Sequence, residues 1–273
     1  MLAVHEMNGD EAERSVRPNS VLARAATILD AFDGSTPVLS LSQLSTRTGL
    51  PKSTVHRFAE QLLGLGWFER APGGYRVGMR LFEVGGLAER HSRMRDRALP
   101  YMLQLSATTR CGVHLAVLDH TEIVYLEKVP VRGLNLPTRE GGRMPAYCTS
   151  LGKAMLAFAD EDEIERVIAA GLDRRTPFTI TAPDAFRADL EAVRRAGVAT
   201  DREEACRGIS CAAAPIRGSG RAIGAVSITG FAGTFDFRTA SAAVKRATAA
   251  IWYDLFGSRP GDAESSCPTA GVA

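Results

Sequence analysis

The sequence predicts an α+β fold with two domains, a helical N-terminal domain that ends in a β-hairpin and a larger C-terminal α/β domain. The chain has 273 residues, 45% of them hydrophobic, which is enough to bury two cores without disulfides or metals. Residues 20–77 are helical with a terminal hairpin, whereas strand-like runs and helices alternate beyond residue 112. We expect disordered tails over 1–19 and 257–273, a first domain over 20–78, a linker helix over 79–92 and a second domain over 93–256.

Composition narrows the classes of protein to consider. Residues 1–17 carry acidic side chains where a secretory signal needs basic and apolar ones, and no apolar run approaches a membrane span, so we expect a cytoplasmic protein with no membrane partner. Five cysteines at irregular spacing, without a C-x-x-C pair, indicate reduced thiols. The net charge of +2 is too small to indicate a nucleic-acid partner, so such an indication has to come from local pattern.

The first two helices are predicted from their end signals. Ser20 can cap a helix with an apolar face that Gly34 is placed to end. A capping box, Ser40-x-x-Gln43, begins the second helix, which Gly49 ends, and Leu39 and Leu44 can form a hydrophobic staple around this box. Pro51 suits the first position of a third helix, so the two helices must cross steeply, as in helix-turn-helix units.

The third helix has the pattern of a DNA recognition helix. Its buried stripe is expected to be Val55, Phe58, Ala59, Leu62 and Leu63. Its outward face then presents donors for phosphates and base edges in the major groove of double-stranded DNA. The hairpin over 67–77 that follows is the wing of a winged helix, and its arginines can reach the flanking backbone. The residues expected to contact DNA are Thr46, Arg47, Lys52, Ser53, Thr54, His56, Arg57, Arg70 and Arg76.

The second domain is predicted as a mixture of short strands and helices. The linker helix over 79–92 is weakened by Gly85-Gly86, and a helix over 93–110 follows. Strands are expected over 113–118, 122–128, 212–217 and 222–229. Helices are expected over 151–158, 161–170, 185–196 and 239–256. The glycine-rich stretch over 218–224 misses the dinucleotide-binding spacing, so we interpret it as a hairpin turn.

Longer motifs resemble those of the IclR family of bacterial transcriptional regulators. They are Thr-Gly-Leu-Pro-Lys-Ser-Thr-Val-His-Arg at 48–57, Gly-Tyr-Arg-Val-Gly at 74–78, Val-His-Leu-Ala-Val-Leu-Asp at 113–119 and Cys-Thr-Ser-Leu-Gly-Lys-Ala at 148–154, with further matches at 176–181, 201–204 and 211–217. The resemblance covers residues 20–256. It implies a GAF-like effector domain that binds small organic or aromatic acids, control of a catabolic operon, and assembly into homodimers or dimers of dimers.

The resemblance also implies which residues hold the effector. The matching positions are Leu136, Met144, Ser150, Leu151, Asp201, Cys211, Ser227 and Thr229, an apolar cup with a few polar groups. Tyr147 departs from the family pattern, in which a histidine is common. The residues agree locally: Thr149 or Ser150 can cap the next helix, whose first turn attracts a carboxylate, although each feature alone also suits an ordinary cap or a hydrated strand. Asp201 could accept a hydrogen bond, and its negative charge argues against an effector with several carboxylates.

Two alternatives stay open. Cys206 and Cys211 flank Arg207, whose charge could lower a thiol pKa in a redox-sensing regulator. His114, Asp201 and Cys211 are types used in nucleophilic catalysis, so an enzyme with a fused DNA-binding domain is the second alternative. The histidines show no metal-ligand spacing and there is no phosphate-binding loop, so no metal or cofactor is expected. The preferred hypothesis is a homodimer on a near-palindromic operator, whose linker helix moves when the effector binds.

Overall fold

The structure, a computed structural model, describes residues 20–34, 36–134, 136 and 138–257, without the side chains of residues 89 and 90. It divides into two compact units between Ala88 and Glu89. The two predicted tails lie outside the described residues, apart from Gly257, whose N–H bonds to the Tyr253 carbonyl at the end of the last helix. In the described part of the chain, no helix is both long and apolar enough to span a membrane.

The first unit is a helix bundle with a two-stranded wing. It contains α1 (Val21–Asp30), α2 (Leu41–Thr48), α3 (Lys52–Gly64), β1 (Phe68–Ala71), β2 (Gly74–Val77) and α4 (Met79–Gly86). The strands pair antiparallel, and Leu39 joins them through hydrogen bonds with Tyr75. Its core consists of Ile28, Leu39, Leu44, Val55, Phe58, Ala59, Leu62, Phe68 and Tyr75. The winged helix-turn-helix is therefore confirmed, with both staple leucines fully buried.

The predicted capping residues begin and end these helices, although some boundaries differ from the prediction by a few residues. The Ser40 side chain accepts the Gln43 N–H and the Gln43 side chain accepts the Ser40 N–H, which confirms the capping box. Gly49 has φ 69° and ends α2. Pro51 is the N-cap of α3 rather than its first residue, with extended ψ. Helix α1 ends at Asp30, earlier than predicted, because Gly34, with φ 76°, serves the following loop.

The second unit is a six-stranded antiparallel sheet between two helical layers. Its order is α5 (Glu89–Thr109), β3 (Gly112–Asp119), β4 (Glu122–Val129), β5 (Arg143–Pro145), α6 (Ser150–Leu156), α7 (Glu161–Ala169), α8 (Pro183–Ala196), β6 (Ala199–Arg202), β7 (Ile209–Ile216), β8 (Gly224–Phe231), a 3₁₀ turn at Ala232–Thr234 and α9 (Phe237–Phe256). The strands lie in the order β5-β4-β3-β8-β7-β6. One core packs the sheet against α5 and α9, and the other packs it against α6, α7 and α8.

Three elements differ from the sequence prediction. The single linker helix over 79–92 is wrong, because α4 ends at Gly86 and α5 begins at Glu89. The N–H groups of Leu87 and Ala88 bond to carbonyls three residues back, which tightens the last turn and ends the helix. Strands β5 and β6 were not predicted, because three and four residues are too few to show a period of two. The hairpin turn between β7 and β8 is confirmed by their antiparallel pairing.

Candidate functional site

The exposed face of α3 carries two basic side chains that form no ion pair with the described residues. Lys52 and Arg57 are exposed, and neither has an ion-pair partner among the described residues. Ser53 and His56 are exposed beside them and Thr54 is half-buried. The hydrophobic face of the same helix is fixed in the core by Val55 and Phe58, so the outward direction of these donors is set by packing.

The other basic residues predicted to contact DNA hold acidic partners within the domain. Arg70 pairs with Glu60 at 2.6 Å and Arg76 with Glu69 at 2.7 Å, while His56 lies 3.7 Å from Glu60. Arg47 pairs with Asp33 at 3.0 Å and donates to the carbonyl of Ala31, so it ties α2 to the end of α1. Thr46 is exposed on the same helix. Two of these four ion pairs, Arg70–Glu60 and Arg47–Asp33, join residues ten or more positions apart, beyond the reach of a helical or strand pattern.

Glu69 links the wing to the start of α4. Its Oε1 accepts the Met79 N–H at 3.1 Å while Oε2 accepts the Arg76 guanidinium at 2.8 Å. The Met79 N–H, followed by Arg76, lowers the pKa of this carboxyl. An ionised Glu69 therefore fixes the wing arginine and the first turn of α4 together.

In the second unit, the eight residues predicted to hold an effector line one cavity. The additional lining residues are His114, Tyr125, Thr138, Thr149, Ala205, Cys206 and Ile209. The space open to the centre of a water molecule measures about 70 Å³. This volume corresponds to several water molecules at roughly 10–15 Å³ each. The eight predicted residues thus converge, from four strands, one helix and one loop, on a single small site.

The cavity floor is a cross-strand row on the sheet. Asp201 on β6 faces Cys211 on β7, and Cys211 faces Thr229 on β8. Ser227 lies two residues before Thr229, so both hydroxyls share a face, and both residues are at most 2% exposed. These hydroxyls therefore lie on a strand face that is covered by the protein rather than exposed to bulk solvent.

His114 on β3 lies next to this row, opposite Ser227 on β8, and its imidazole is neutral. Its Nδ1 lies 3.4 Å from the Thr229 Oγ1, and its Nε2 lies 3.1 Å from the Thr138 Oγ1. Burial, with the nearby Lys128, lowers the pKa of His114 to about 4. Burial, with the nearby Asp201, raises the pKa of the Cys211 thiol. His114, Asp201 and Cys211 thus line one cavity, but burial makes the imidazole a weak base and keeps the thiol protonated, so these residues do not form an activated nucleophile.

The redox alternative loses its chemical support for the same reason. A reactive thiol needs a lowered pKa, whereas the pKa of Cys211 is raised and its Sγ accepts the Thr229 hydroxyl at 3.3 Å. Cys206 is exposed at the cavity edge, and its Sγ lies 3.7 Å from the Arg207 carbonyl oxygen.

Asp201 is a buried carboxyl held by backbone donors. Its Oδ1 accepts the N–H groups of Glu204 at 2.7 Å and Ala205 at 3.4 Å. Burial, together with the nearby Glu204, raises the pKa of Asp201 to about 7. The sequence alone predicts a negatively charged Asp201. With a pKa of about 7, this carboxyl is instead protonated in about half of the molecules near neutral pH.

Lys153 is a buried charge that sequence reasoning did not single out. It is 1% exposed on α6, and its Nζ lies 2.7 and 2.9 Å from the two carboxylate oxygens of Glu204 and 3.1 Å from Asp189. Burial opposes its charge, but Glu204 and Asp189 raise the pKa of the ammonium. The only sequence signal was a lysine within an otherwise apolar helix, which by itself does not identify a partner.

The start of α6 is shaped by small and polar residues. The Thr149 side chain caps the helix by accepting the Gly152 N–H at 3.1 Å, as predicted. A Cβ on Gly152 would lie 2.1 Å from the Ala146 carbonyl oxygen, so only glycine fits. The Tyr147 hydroxyl donates to the Asp173 carbonyl and is not part of the cavity lining, so the departure from the family pattern leaves the cavity unchanged. Across the described residues, no cluster of potential ligands could hold a metal ion.

Comparison with known proteins agrees with this arrangement. The IclR helix-turn-helix domain matches residues 21–72, and the C-terminal domain of the bacterial transcriptional regulator IclR matches residues 88–251. The transcriptional regulator KdgR of Escherichia coli is 33% identical over 211 residues, which are 75% of this chain and 80% of KdgR.

Two solved structures are similar in fold and sequence. An IclR homologue from Microbacterium hydrocarbonoxydans, in complex with 4-hydroxybenzoate, is 31% identical with a TM-score of 0.80 and covers 88% of this chain and 100% of its own. The Thermotoga maritima IclR is 31% identical with a TM-score of 0.69 and covers 87% and 98%. A winged helix-turn-helix followed by an effector domain, matched over both parts, makes this chain a DNA-binding transcriptional regulator of the IclR family rather than an enzyme.

Proposed function

We propose that this protein is a homodimeric cytoplasmic regulator of a catabolic operon, and that a small aromatic monocarboxylate in the second-unit cavity controls its affinity for operator DNA. One observation carries the proposal: the eight residues selected from sequence line one cavity in a domain whose solved relative binds 4-hydroxybenzoate. Leu136, Met144 and Leu151 supply apolar walls for a ring, and the hydroxyls of Ser227 and Thr229 supply polar contacts.

Calorimetry with 4-hydroxybenzoate and related acids tests the cavity. We expect Ser227→Ala to weaken binding by about fivefold, because one buried hydrogen bond contributes roughly 1 kcal/mol. The matched control is Ser219→Ala, which removes an exposed hydroxyl from the β7–β8 turn, outside the cavity. Equal affinity in Ser227→Ala and wild type would remove this residue from the effector site.

The DNA contacts are proposed to come chiefly from the first turns of α3. Lys52 and Arg57 keep their charges available, and each lost phosphate contact lowers the slope of log affinity against log salt by about 0.9. We expect Lys52→Ala and Arg57→Ala each to weaken binding about tenfold or more, measured by gel shift on an operator selected from random-sequence DNA. Arg80→Ala, which removes an ion-paired arginine of α4, is the control. Unchanged affinity and salt slope in both variants would contradict the assignment.

Self-association is proposed to use the exposed apolar residues of the first unit. Leu22 on α1 is 79% exposed and Phe82 on α4 is 78% exposed, an arrangement that favours contact with a second copy. We expect Phe82→Asp to shift the protein towards the monomer in sedimentation velocity. Phe178→Asp, which places the same charge on an exposed phenylalanine of the second unit, should leave the mass unchanged. A dimeric Phe82→Asp would contradict this interface.

Control by the effector is proposed to pass through the connection between α4 and α5. Gly85 and Gly86 end α4, and a Cβ on either would meet no atom within 4 Å, so packing does not require glycine there. We expect the double variant, Gly85→Ala with Gly86→Ala, to stiffen this connection. An effector usually changes the affinity at the other site by about 5- to 150-fold, and the acid should change the operator affinity of the double variant by less than that of wild type. The dissociation constant of the acid should stay unchanged. An unaltered effector response would exclude these glycines as a hinge.

A further inference from the structure

The cavity holds a carboxyl group without a cation. Asp201 is 3% exposed and lines the cavity, and none of the described lining residues is lysine or arginine. The one lining histidine, His114, is neutral because burial lowers its pKa to about 4. Nothing in the lining therefore compensates a negative charge by ion pairing.

The buried cation on α6 is already neutralised. Lys153 lies within 3.1 Å of both the Glu204 and the Asp189 carboxylates, so it is shared by two acids before Asp201 is counted. Half-buried Lys128 is not part of the lining, but its Nζ donates to the carbonyl of the lining residue Thr138 at 2.5 Å. The other titratable groups around Asp201 carry no positive charge. They are Glu204 and Cys206 on its own turn, Cys211 on β7, Cys148 before α6 and Tyr125 on β4.

Backbone contacts fix Asp201 in this position. Its Oδ1 accepts the N–H groups of Glu204 and Ala205, and Thr176 and Thr179 hold the Glu204 carbonyl from the other side with hydroxyl bonds. Glu203 in the same turn has φ 64°, which a non-glycine residue keeps only where its surroundings hold it. Asp201 therefore cannot easily turn away from a ligand.

A carboxylate ligand would thus meet a fixed carboxyl in a cavity without a cation. Burying two unpaired negative charges side by side is prohibitive, and two carboxyl groups that share a site hold one proton between them. We propose that Asp201 carries this proton when a monocarboxylate occupies the cavity, so that effector binding takes up one proton from solvent above neutral pH. This inference rests on the proposed effector function.

The ionisation of the free protein supports Asp201 as the proton carrier. Burial and Glu204 raise the pKa of Asp201 to about 7, whereas an ordinary carboxylic acid titrates near roughly pH 4. The protonated carboxyl is a donor for the ligand carboxylate. A ligand with two carboxylates would bring a second charge that no lining residue compensates, so the site selects monoanions.

Calorimetry of 4-hydroxybenzoate and benzoate against the full-length protein tests the inference, at several pH values from about 6 to 9 and in two buffers of different ionisation enthalpy. We expect uptake of about one proton per site at the alkaline end and almost none near pH 6. The affinity should fall about tenfold per pH unit above pH 7 and stay level below it. Asp201→Asn should bind with no proton uptake and no pH dependence, and the control Asp162→Asn, on the exposed face of α7, should behave as wild type.

The outcomes separate this inference from the proposed function. Binding that is independent of pH, or a pH slope that persists in Asp201→Asn, overturns the inference and leaves the aromatic acid effector standing. Absence of binding by both acids at pH 6, where Asp201 is neutral, overturns both. A ¹³C NMR titration of the aspartate carboxyl carbons, wild type against Asp201→Asn, follows this carboxyl directly: its midpoint should rise when 4-hydroxybenzoate is bound, and a midpoint that the bound acid leaves unchanged overturns the inference alone.

Discussion

Replacing Lys153 by Met should destabilise the second unit by about 3–5 kcal/mol, the usual cost of removing one partner of a buried ion pair. Lys153 is 1% exposed and the Glu204 side chain 8%, so the remaining carboxylate would be left without water or a cation. The Asp189 side chain is 31% exposed, but its Oδ2, which faces Lys153, is buried, so the more deeply buried Glu204 carries most of the cost and Asp189 a part of it. Met keeps the length of the lysine stem, which limits any contribution from a cavity.

Urea unfolding measures this loss in a Trp67→Phe background, where Trp252 reports on the second unit alone. Lys153→Met with Glu204→Met removes both charges and should recover most of the stability, because two apolar groups replace the pair. The loss in Lys153→Met should shrink towards pH 5. An unpaired buried Glu204 has a folded pKa above its unfolded value, so its stability contribution is lost as pH rises.

The matched control is Lys245→Met, which removes an exposed lysine of α9 and should change stability by less than about 0.5 kcal/mol. A loss below about 1 kcal/mol in Lys153→Met would refute the reasoning. So would a double variant as unstable as the single one, because the cost would then come from packing rather than from an unpaired charge.

Two further predictions concern the cavity and the wing. The folded pKa of Asp201, about 7, lies above its ordinary value of 3.8, so wild type should lose stability relative to Asp201→Asn by about 2 kcal/mol as pH rises from about 5 to 7, measured by urea unfolding; a constant difference would contradict it. Gly74→Ala should displace the wing, because its Cβ would lie 2.2 Å from the Leu39 carbonyl oxygen. We expect it to lose about 1–3 kcal/mol and weaken DNA binding, while Gly64→Ala, whose Cβ meets nothing within 4 Å, should do neither.

The helical domain was the most predictable part because its signals are local. A capping box, a left-handed glycine and an apolar stripe each depend on residues within about four positions of one another. The errors in this region are small shifts, such as α1 ending at Asp30 and Pro51 acting as a cap. The break between α4 and α5 was missed because helical periodicity continues through Leu87 and Ala88, although the backbone does not.

Sequence alone determined the winged helix, the alternation of strands and helices in the second unit, and, through family resemblance, the eight residues that meet around the cavity. Tertiary structure alone decided the ionic state of the site. The pKa of Asp201 depends on burial and on Glu204, and Lys153 meets Glu204 across 51 positions of chain. It also decided which predicted DNA-contacting residues are already ion-paired, such as Arg47 and Arg76. Desolvation and charge pairing depend on distances in space, and a sequence pattern fixes only those distances that lie within one helix, strand or turn.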